Sequence, residues 1–125
     1  MTVEAVGTHV LLEFWGSERS DDAEFLGAAM AEAATEAGLH VIESVMHKFG
    51  GGGGVSGVIL LAESHVTIHT WPEHGYAALD IFVCGERDLT LAIDLLAERL
   101  RPRRIEVMRR LRGAVAAPRL SKAAS

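Results

Sequence analysis

Apolar and polar residues alternate along most of this chain, which is typical of half-buried β-strands. In residues 8–14, Val10, Leu12 and Phe14 fall on one face and the residues between them on the other. A later apolar run is nearly continuous, as expected for a central strand. The pattern predicts six strands, at residues 8–14, 40–49, 55–62, 64–71, 76–84 and 104–111.

Two segments have helical periodicity instead. In the first, residues 20–22 (Ser-Asp-Asp) offer N-cap oxygens, a helix follows them to about residue 37, and Gly38 supplies a C-terminal stop. The second covers residues 88–100, and Pro102 ends it because proline cannot continue a helix.

The predicted order is therefore β-α-β-β-β-β-α-β. The links between the middle strands are too short for a parallel crossover, so we expect a largely antiparallel sheet. Two helices on one face of that sheet give an α+β fold, a two-layer α/β sandwich in one domain of residues 1–113. Residues 114–125 are expected to form a flexible tail. The other face of the sheet is left open, where a second copy could cover it.

Composition narrows the class of protein. The chain has 125 residues, 49% hydrophobic content and a net charge of −5, which argues against a nucleic-acid-binding surface. One cysteine cannot form an intramolecular disulfide and suits a reducing compartment. No signal-peptide pattern and no apolar run near 18 residues is present. We expect a cytoplasmic protein that does not bind a membrane.

Five consecutive glycines at residues 50–54 interrupt the strand pattern. The run lacks the Gly-Lys-Ser/Thr ending of a phosphate-binding loop, so nucleotide phosphate binding is not expected. Glycine reaches backbone conformations that other residues avoid. The run is therefore interpreted as a turn with unusual backbone angles.

Candidate chemistry is concentrated in residues 63–73, where a serine follows a glutamate and two histidines follow the serine. A serine hydroxyl is a weak nucleophile unless a base or an oriented donor activates it. His65 and His69 share one face of a predicted strand but lie about 13 Å apart at roughly 3.3 Å per residue. They could not both bind one ion, and no metal site is predicted.

Residues 63–73 (Glu-Ser-His-Val-Thr-Ile-His-Thr-Trp-Pro-Glu) closely resemble the self-processing site of prokaryotic S-adenosylmethionine decarboxylase proenzymes, which are pyruvoyl-dependent. Residues 53–58, 75–85 and 7–13 also resemble this family, in the expected order and spacing. The chain departs from the family pattern at the five glycines, where it also has one residue more than expected.

The resemblance implies that the Ser64 hydroxyl attacks the carbonyl of Glu63 and converts the peptide bond into an ester. Elimination and hydrolysis would then leave a pyruvoyl group at position 64, which forms a Schiff base with the substrate amine. The products would be a β chain of residues 1–63 and an α chain of residues 64–125.

Three further roles come from the same resemblance. His69 would remove the Cα proton of Ser64 during elimination, and Ser56 would hydrogen-bond near the scissile carbonyl. Cys84 would reprotonate the substrate carbon after carbon dioxide leaves. An imidazole has an ordinary pKa of about 6.5 and a thiol one of about 8.5, and both values suit these tasks.

The implied substrate is S-adenosylmethionine, whose sulfonium and adenine would meet Phe49 and Trp71 and whose ribose would meet Glu73. The product would supply aminopropyl groups for spermidine synthesis, and the resemblance implies a homodimer. Three alternatives stay open: the same chemistry on arginine or ornithine, an unprocessed regulatory subunit, and a hydrolase built on Cys84 and His69. Activation by a diamine is undecided.

Overall fold

A six-stranded sheet is the main element of the described part of the chain, which is residues 5–62 and 64–114 of a computed structural model. One short 3-10 turn, Pro72–His74, joins two of the strands. The remaining elements in chain order are β1 (Ala5–Trp15), α1 (Ala23–Glu36), β2 (Val41–Lys48), β3 (Val55–Leu61), β4 (Ser64–Trp71), β5 (Tyr76–Cys84), α2 (Thr90–Leu100) and β6 (Arg104–Ala114).

The strands lie in the order β2-β3-β4-β5-β1-β6, and each neighbouring pair is antiparallel. The long β1 strand lies between β5 and β6. It therefore connects the C-terminal strand β6 to the rest of the sheet. These strands and two helices in the described residues confirm the predicted α+β sandwich.

The helices cover one face of the sheet, and the core lies between the two layers. Alternate residues of the central strands point into it, so Leu12, Ile68 and Ile81 are almost completely buried. From α1, Leu26 and Met30 complete the same core. No helix in the described ranges is long and apolar enough to cross a bilayer.

Asp22, one of the three predicted N-cap residues, is the cap of α1, whereas α2 begins at Thr90, two residues later than predicted. The Asp22 carboxylate accepts a hydrogen bond of 3.0 Å from the backbone N–H of Phe25, so Asp22 is the cap and the first turn starts after it. Asp88 likewise accepts the backbone N–H of Thr90 at 2.9 Å, ahead of α2. Gly38 has a φ of 87° after α1, which confirms it as the stop.

Strand β6 ends three residues later than predicted, because its backbone stays paired with β1 as far as Ala114 opposite Ala5. The first residue of the predicted tail is therefore part of the sheet. The rest of that segment, residues 115–125, lies outside the described residues.

The glycine run forms the turn between β2 and β3. Gly51 and Gly52 have φ angles of 65° and 72°, the left-handed conformation that the run was predicted to allow. Gly54 has a different requirement: a Cβ there would lie 1.9 Å from the carbonyl oxygen of Thr70. The loop therefore lies directly against β4, and a glycine is needed at that contact.

The face of the sheet opposite the helices is not covered within the described part of the chain. Large apolar side chains stand on it in the open, among them Leu11, Val45, Leu60 and Trp71, which are 40–53% exposed. Exposed apolar surface of this kind marks an interaction site where it is contiguous. This surface is called the open face below.

Candidate active site

Strand β4 carries three of the predicted site residues, Ser64, His69 and Trp71, and its alternation decides which face each one takes. Val66 and Ile68 are buried beneath the helices. Successive side chains of a strand point to opposite faces, so His65 and His69 belong to the open face. Ser64 has the parity of the buried residues, although it is only half-buried at the first position of the strand.

Ser56 and His69 form a pair across β3 and β4, where they lie opposite each other in the register. Ser56 Oγ is 2.8 Å from His69 Nδ1, so the hydroxyl fixes the orientation of the imidazole. The pair borders a cleft of about 310 Å³. Three other predicted site residues line the same cleft: Phe49, Trp71 and Glu73.

Ser64 and Cys84 lie away from this cleft, near the opposite end of β4. His65 is opposite Phe82 on the antiparallel strand β5. Ser64, one residue earlier, therefore lies at the end of β5 that carries Cys84. The Ser64 hydroxyl donates to the carbonyl oxygen of Ala62 at 3.2 Å, and Cys84 is exposed. Glu63, the predicted cleavage residue, lies outside the described residues.

Within one chain the predicted residues therefore form two groups. Five residues separate Ser64 from His69 along an extended strand, which corresponds to about 16 Å at roughly 3.3 Å per residue. Proton transfer needs a heavy-atom distance of about 3 Å. The His69 of one chain cannot act on the Ser64 of the same chain while β4 stays intact.

A second polar cluster lies at the centre of the open face, between these two groups. The carboxylate of Asp80 accepts hydrogen bonds from Thr67 Oγ1 and from His9 Nε2, the latter at 2.6 Å. His65 Nε2 is 3.6 Å from the same carboxylate, which is an ion-pair distance when the imidazole is protonated. The side chain of Asp80 is only 18% exposed.

The environment of Asp80 favours its charged form. Burial raises the pKa of this carboxyl, but the hydrogen bonds from Thr67 and His9 and the neighbouring His65 outweigh it. The net result is a pKa below the ordinary value of 3.8. Asp80 is therefore a carboxylate at neutral pH, fixed among hydrogen-bond donors.

His9, His65 and Asp80 offer ligand atoms within 4.8 Å of one another, the composition of a possible metal site. The guanidinium of Arg112 lies 3.0 Å from His9 Nδ1, and because arginine only donates, Nδ1 must accept. The proton of the neutral ring is then on Nε2, between His9 and Asp80. A metal ion bound at Nε2 would have to displace that proton and would lie near the positive charge of the Arg112 guanidinium. The three side chains are therefore arranged as a hydrogen-bond network and not as a set of metal ligands.

Three aromatic rings pack together on the open face at the end of β4 that carries His69 and Trp71. Tyr76 is 4.6 Å from Trp15 and 5.5 Å from Trp71 between ring centroids, and its hydroxyl donates to Glu13. Burial and then this carboxylate raise the pKa of Tyr76 to about 12. The rings of Trp15, Trp71 and Tyr76 line a second cleft of about 410 Å³ with His74.

Sequence reasoning did not find the Asp80 network or the contacts of Trp15 and Tyr76. Alternation was the available signal, since it puts His9 and Asp80 on the faces of their strands that lack the buried residues. Alternation does not give the register between strands, however, and the register decides that these side chains meet.

Residues 8–113 match the family model for S-adenosylmethionine decarboxylase, which is most of the chain. This chain belongs to that family. A relative from Geobacillus sp., named S-adenosylmethionine decarboxylase proenzyme, is 43% identical over 100 residues, 78% of this chain and 80% of the relative.

Two further members support the assignment. A protein from Thermomicrobium roseum with the same name is 40% identical over 114 residues, 90% of this chain and 98% of the relative. The crystal structure of the adenosylmethionine decarboxylase from Aquifex aeolicus superposes with a TM-score of 0.78 at 33% identity, covering 94% of this chain and 98% of the other. The family membership confirms the resemblance, the fold and the expectation of a decarboxylase. It gives no support to a non-enzyme or to a hydrolase.

Proposed function

We propose that this chain cleaves itself between Glu63 and Ser64 and then decarboxylates S-adenosylmethionine. The observation that carries the proposal is the Ser56–His69 pair, 2.8 Å apart at the border of a cleft lined by aromatic rings and one carboxylate. In a member of this family, such a pair is suited to proton transfer during maturation.

In the maturation step, the oxygen of Ser64 bonds to the Glu63 carbonyl carbon, the peptide C–N bond breaks, and an ester replaces it. His69 then takes the Cα proton of residue 64, and the ester oxygen leaves with the Glu63 carboxylate. Water finally releases ammonia and leaves a pyruvoyl group.

The pyruvoyl group would supply an electron sink for the bond that carbon dioxide leaves. Cys84 is within one strand position of residue 64 and exposed, so its thiol would return a proton to the substrate carbon. Phe49 and Trp71 would hold the sulfonium and adenine, and Glu73 would accept hydrogen bonds from ribose hydroxyls.

A second copy of the chain would complete this site. Ser64 and His69 lie about 16 Å apart in one chain, at roughly 3.3 Å per residue, and the midpoint between them is close to Thr67. A two-fold axis across the strands at that level would set β4 of each copy over β4 of the other in the reverse direction. The His69 of one copy would then lie over the Ser64 of the other.

The open face has the properties of such an interface. Leu11, Val45 and Leu60 are exposed on it, and packing two such faces together would remove them from water. Facing sheets pack about 10 Å apart, so side chains of both copies would meet. We therefore propose a homodimer in which each site combines the Ser64 and Cys84 group of one copy with the His69 group of the other.

Arginine or ornithine would need carboxylates around a distal cation. The cleft offers one, Glu73, beside the rings of Phe49 and Trp71, which favours a substrate with an aromatic base. The relatives described above are named for adenosylmethionine. The product would supply aminopropyl groups for spermidine synthesis in the cytoplasm.

Intact-mass measurement of purified protein tests the maturation. Wild-type protein should separate into residues 1–63 and residues 64–125 on denaturation, and Ser64→Ala should stay whole and inactive. Ser44→Ala, at an exposed serine on β2, is the matched control and should cleave normally. An intact, active wild-type chain would rule out the pyruvoyl mechanism.

Carbon dioxide release from adenosylmethionine, arginine and ornithine tests the substrate. Trp71→Ala should reduce kcat/KM for adenosylmethionine by about 5- to 30-fold, since an aromatic–cation contact contributes roughly 1–2 kcal/mol. Leu91→Ala, at an exposed position on the helix side, should leave it unchanged. Release from arginine or ornithine alone would overturn the substrate and leave the maturation chemistry in place.

A further inference from the structure

The Asp80 cluster has no assigned role, yet it lies beside the residue on which the proposed chemistry depends. His65 directly follows Ser64 in the chain, and its Nε2 is 3.6 Å from the Asp80 carboxylate. The ring of His65 also stacks on Phe82, with centroids 5.8 Å apart and ring planes 30° apart. Two side chains of β5, Asp80 and Phe82, therefore hold His65 on the open face, at the start of β4.

The partners of His65 are themselves fixed. Asp80 is held by hydrogen bonds from Thr67 and His9. Phe82 packs against the backbone of β1 so closely that a Cβ at Gly7 would lie 2.6 Å from its ring. The support for His65 thus comes from β1 and β5, strands that are not cut at residue 64.

Cleavage makes this support matter. Before cleavage, the chain runs from the end of β3 at Leu61 to residue 64 with only two residues between them. After cleavage, residue 64 is the first residue of a new chain, and chain ends are poorly ordered unless something ties them down. The cut end keeps its backbone pairing with Leu61 of β3, and the side chain of its immediate neighbour, His65, is held by Asp80 and Phe82.

We propose that Asp80 is a positioning residue for the reactive group at position 64 and acts through His65. This inference rests on the proposed function. Asp80 does not touch the reacting atoms in this arrangement. Its role is to keep the end of β4 in place beside Cys84 once the chain has been cut.

A double-mutant cycle on the matured enzyme tests the route through His65. Asp80→Asn keeps the size of the side chain and removes the charge, so we expect kcat to fall about tenfold, equivalent to about 1.4 kcal/mol, with KM nearly unchanged. His65→Ala should cause a similar loss. In the double variant, Asp80→Asn should add less than a twofold loss, because coupled residues are not additive.

Asp22→Ala is the matched control, because it removes a carboxylate that caps α1 on the helix side. It should lower the melting temperature but leave kcat unchanged. When combined with His65→Ala, it should add nothing to the loss of kcat that His65→Ala causes alone. Full additivity of Asp80→Asn with His65→Ala, or an unchanged kcat in Asp80→Asn, would overturn the proposal. A kcat loss in Asp22→Ala equal to that in Asp80→Asn would reduce the effect to general destabilisation and also overturn it.

Hydrogen exchange separates this proposal from the proposed function. Asp80→Asn should speed amide exchange in residues 65–68 relative to β1 in the uncut Ser64→Ala chain as well as in matured protein. If wild type neither cleaves nor decarboxylates, the proposed function fails while this exchange test still decides whether Asp80 anchors β4. Unchanged exchange in residues 65–68 would refute the anchoring.

Discussion

A site shared between two copies predicts complementation between two inactive variants. Ser64→Ala lacks the nucleophile, and His69→Ala lacks the base. In a mixed dimer, the intact Ser64 of the His69→Ala chain meets the intact His69 of the Ser64→Ala chain, while the other site lacks both. We expect the His69→Ala chain to be cleaved in mixed dimers and the Ser64→Ala chain never.

The expected size of the effect follows from the strand geometry. The separation of about 16 Å along β4, at roughly 3.3 Å per residue, leaves no hydrogen-bonded path from His69 to Ser64 within one chain. With equal co-expression and random pairing, about half of the His69→Ala chains would be in mixed dimers, which are closed two-fold pairs. Purification through two different affinity tags should raise the cleaved share of those chains to nearly all.

Intact-mass spectrometry of the doubly purified protein reads the result directly. The control pairs His69→Ala with the double variant Ser64→Ala/His69→Ala, in which neither site of the mixed dimer has a base. That pair should stay uncut. If the His69→Ala chain is also uncut when paired with Ser64→Ala, the shared site is wrong. Equal cleavage of His69→Ala expressed alone would show that His69 is not the base.

Three further predictions follow from pKa values and packing. Tyr76 is the only tyrosine in the chain, so near-ultraviolet titration should give its pKa of about 12, and Glu13→Gln should lower it toward 10.0. Asp80 has a lowered pKa, so its charge stabilises the fold at pH values above its unfolded pKa of 3.8, and this contribution is lost as the pH falls through the folded pKa. In urea unfolding, the difference in stability between wild type and Asp80→Asn should therefore be constant near neutral pH and shrink in acid. Gly54→Ala should destabilise the fold by about 1–3 kcal/mol, because its Cβ would overlap a β4 carbonyl oxygen. Gly50→Ala, with no atom within 4 Å of the new Cβ, is its control in thermal unfolding.

Local patterns were sufficient to predict the order of elements and the layer arrangement. Alternation, or a nearly continuous apolar run in the case of β3, identified every strand of the described sheet, and Gly38 ended α1 as expected. The error was at the start of α2, which begins at Thr90 and not at Asp88; the Asp88 carboxylate accepts the backbone N–H of Thr90 from outside the helix. A capping side chain and a first-turn side chain have the same composition, so the sequence does not separate them.

The arrangement of the site was harder to predict, because it depends on contacts between distant parts of the chain. The family resemblance named Ser64, His69 and Cys84 without saying whether one chain brings them together. The positions of Ser64 and His69 along one extended strand already imply that it does not. The contact between His9 and Asp80, by contrast, joins residues 71 apart and needs the β1–β5 register, which no local pattern contains.

The two ends of β4 carry different halves of the proposed chemistry, and this has a consequence for the life of a newly made chain. Under the proposed shared site, a solitary copy would hold a nucleophile with no base in reach and would stay an inert precursor. Encounter with a second copy would both start the cut and supply the residues for turnover. The moment of activation would then be set by chain concentration, and the irreversible cut would record that a correctly assembled pair once formed.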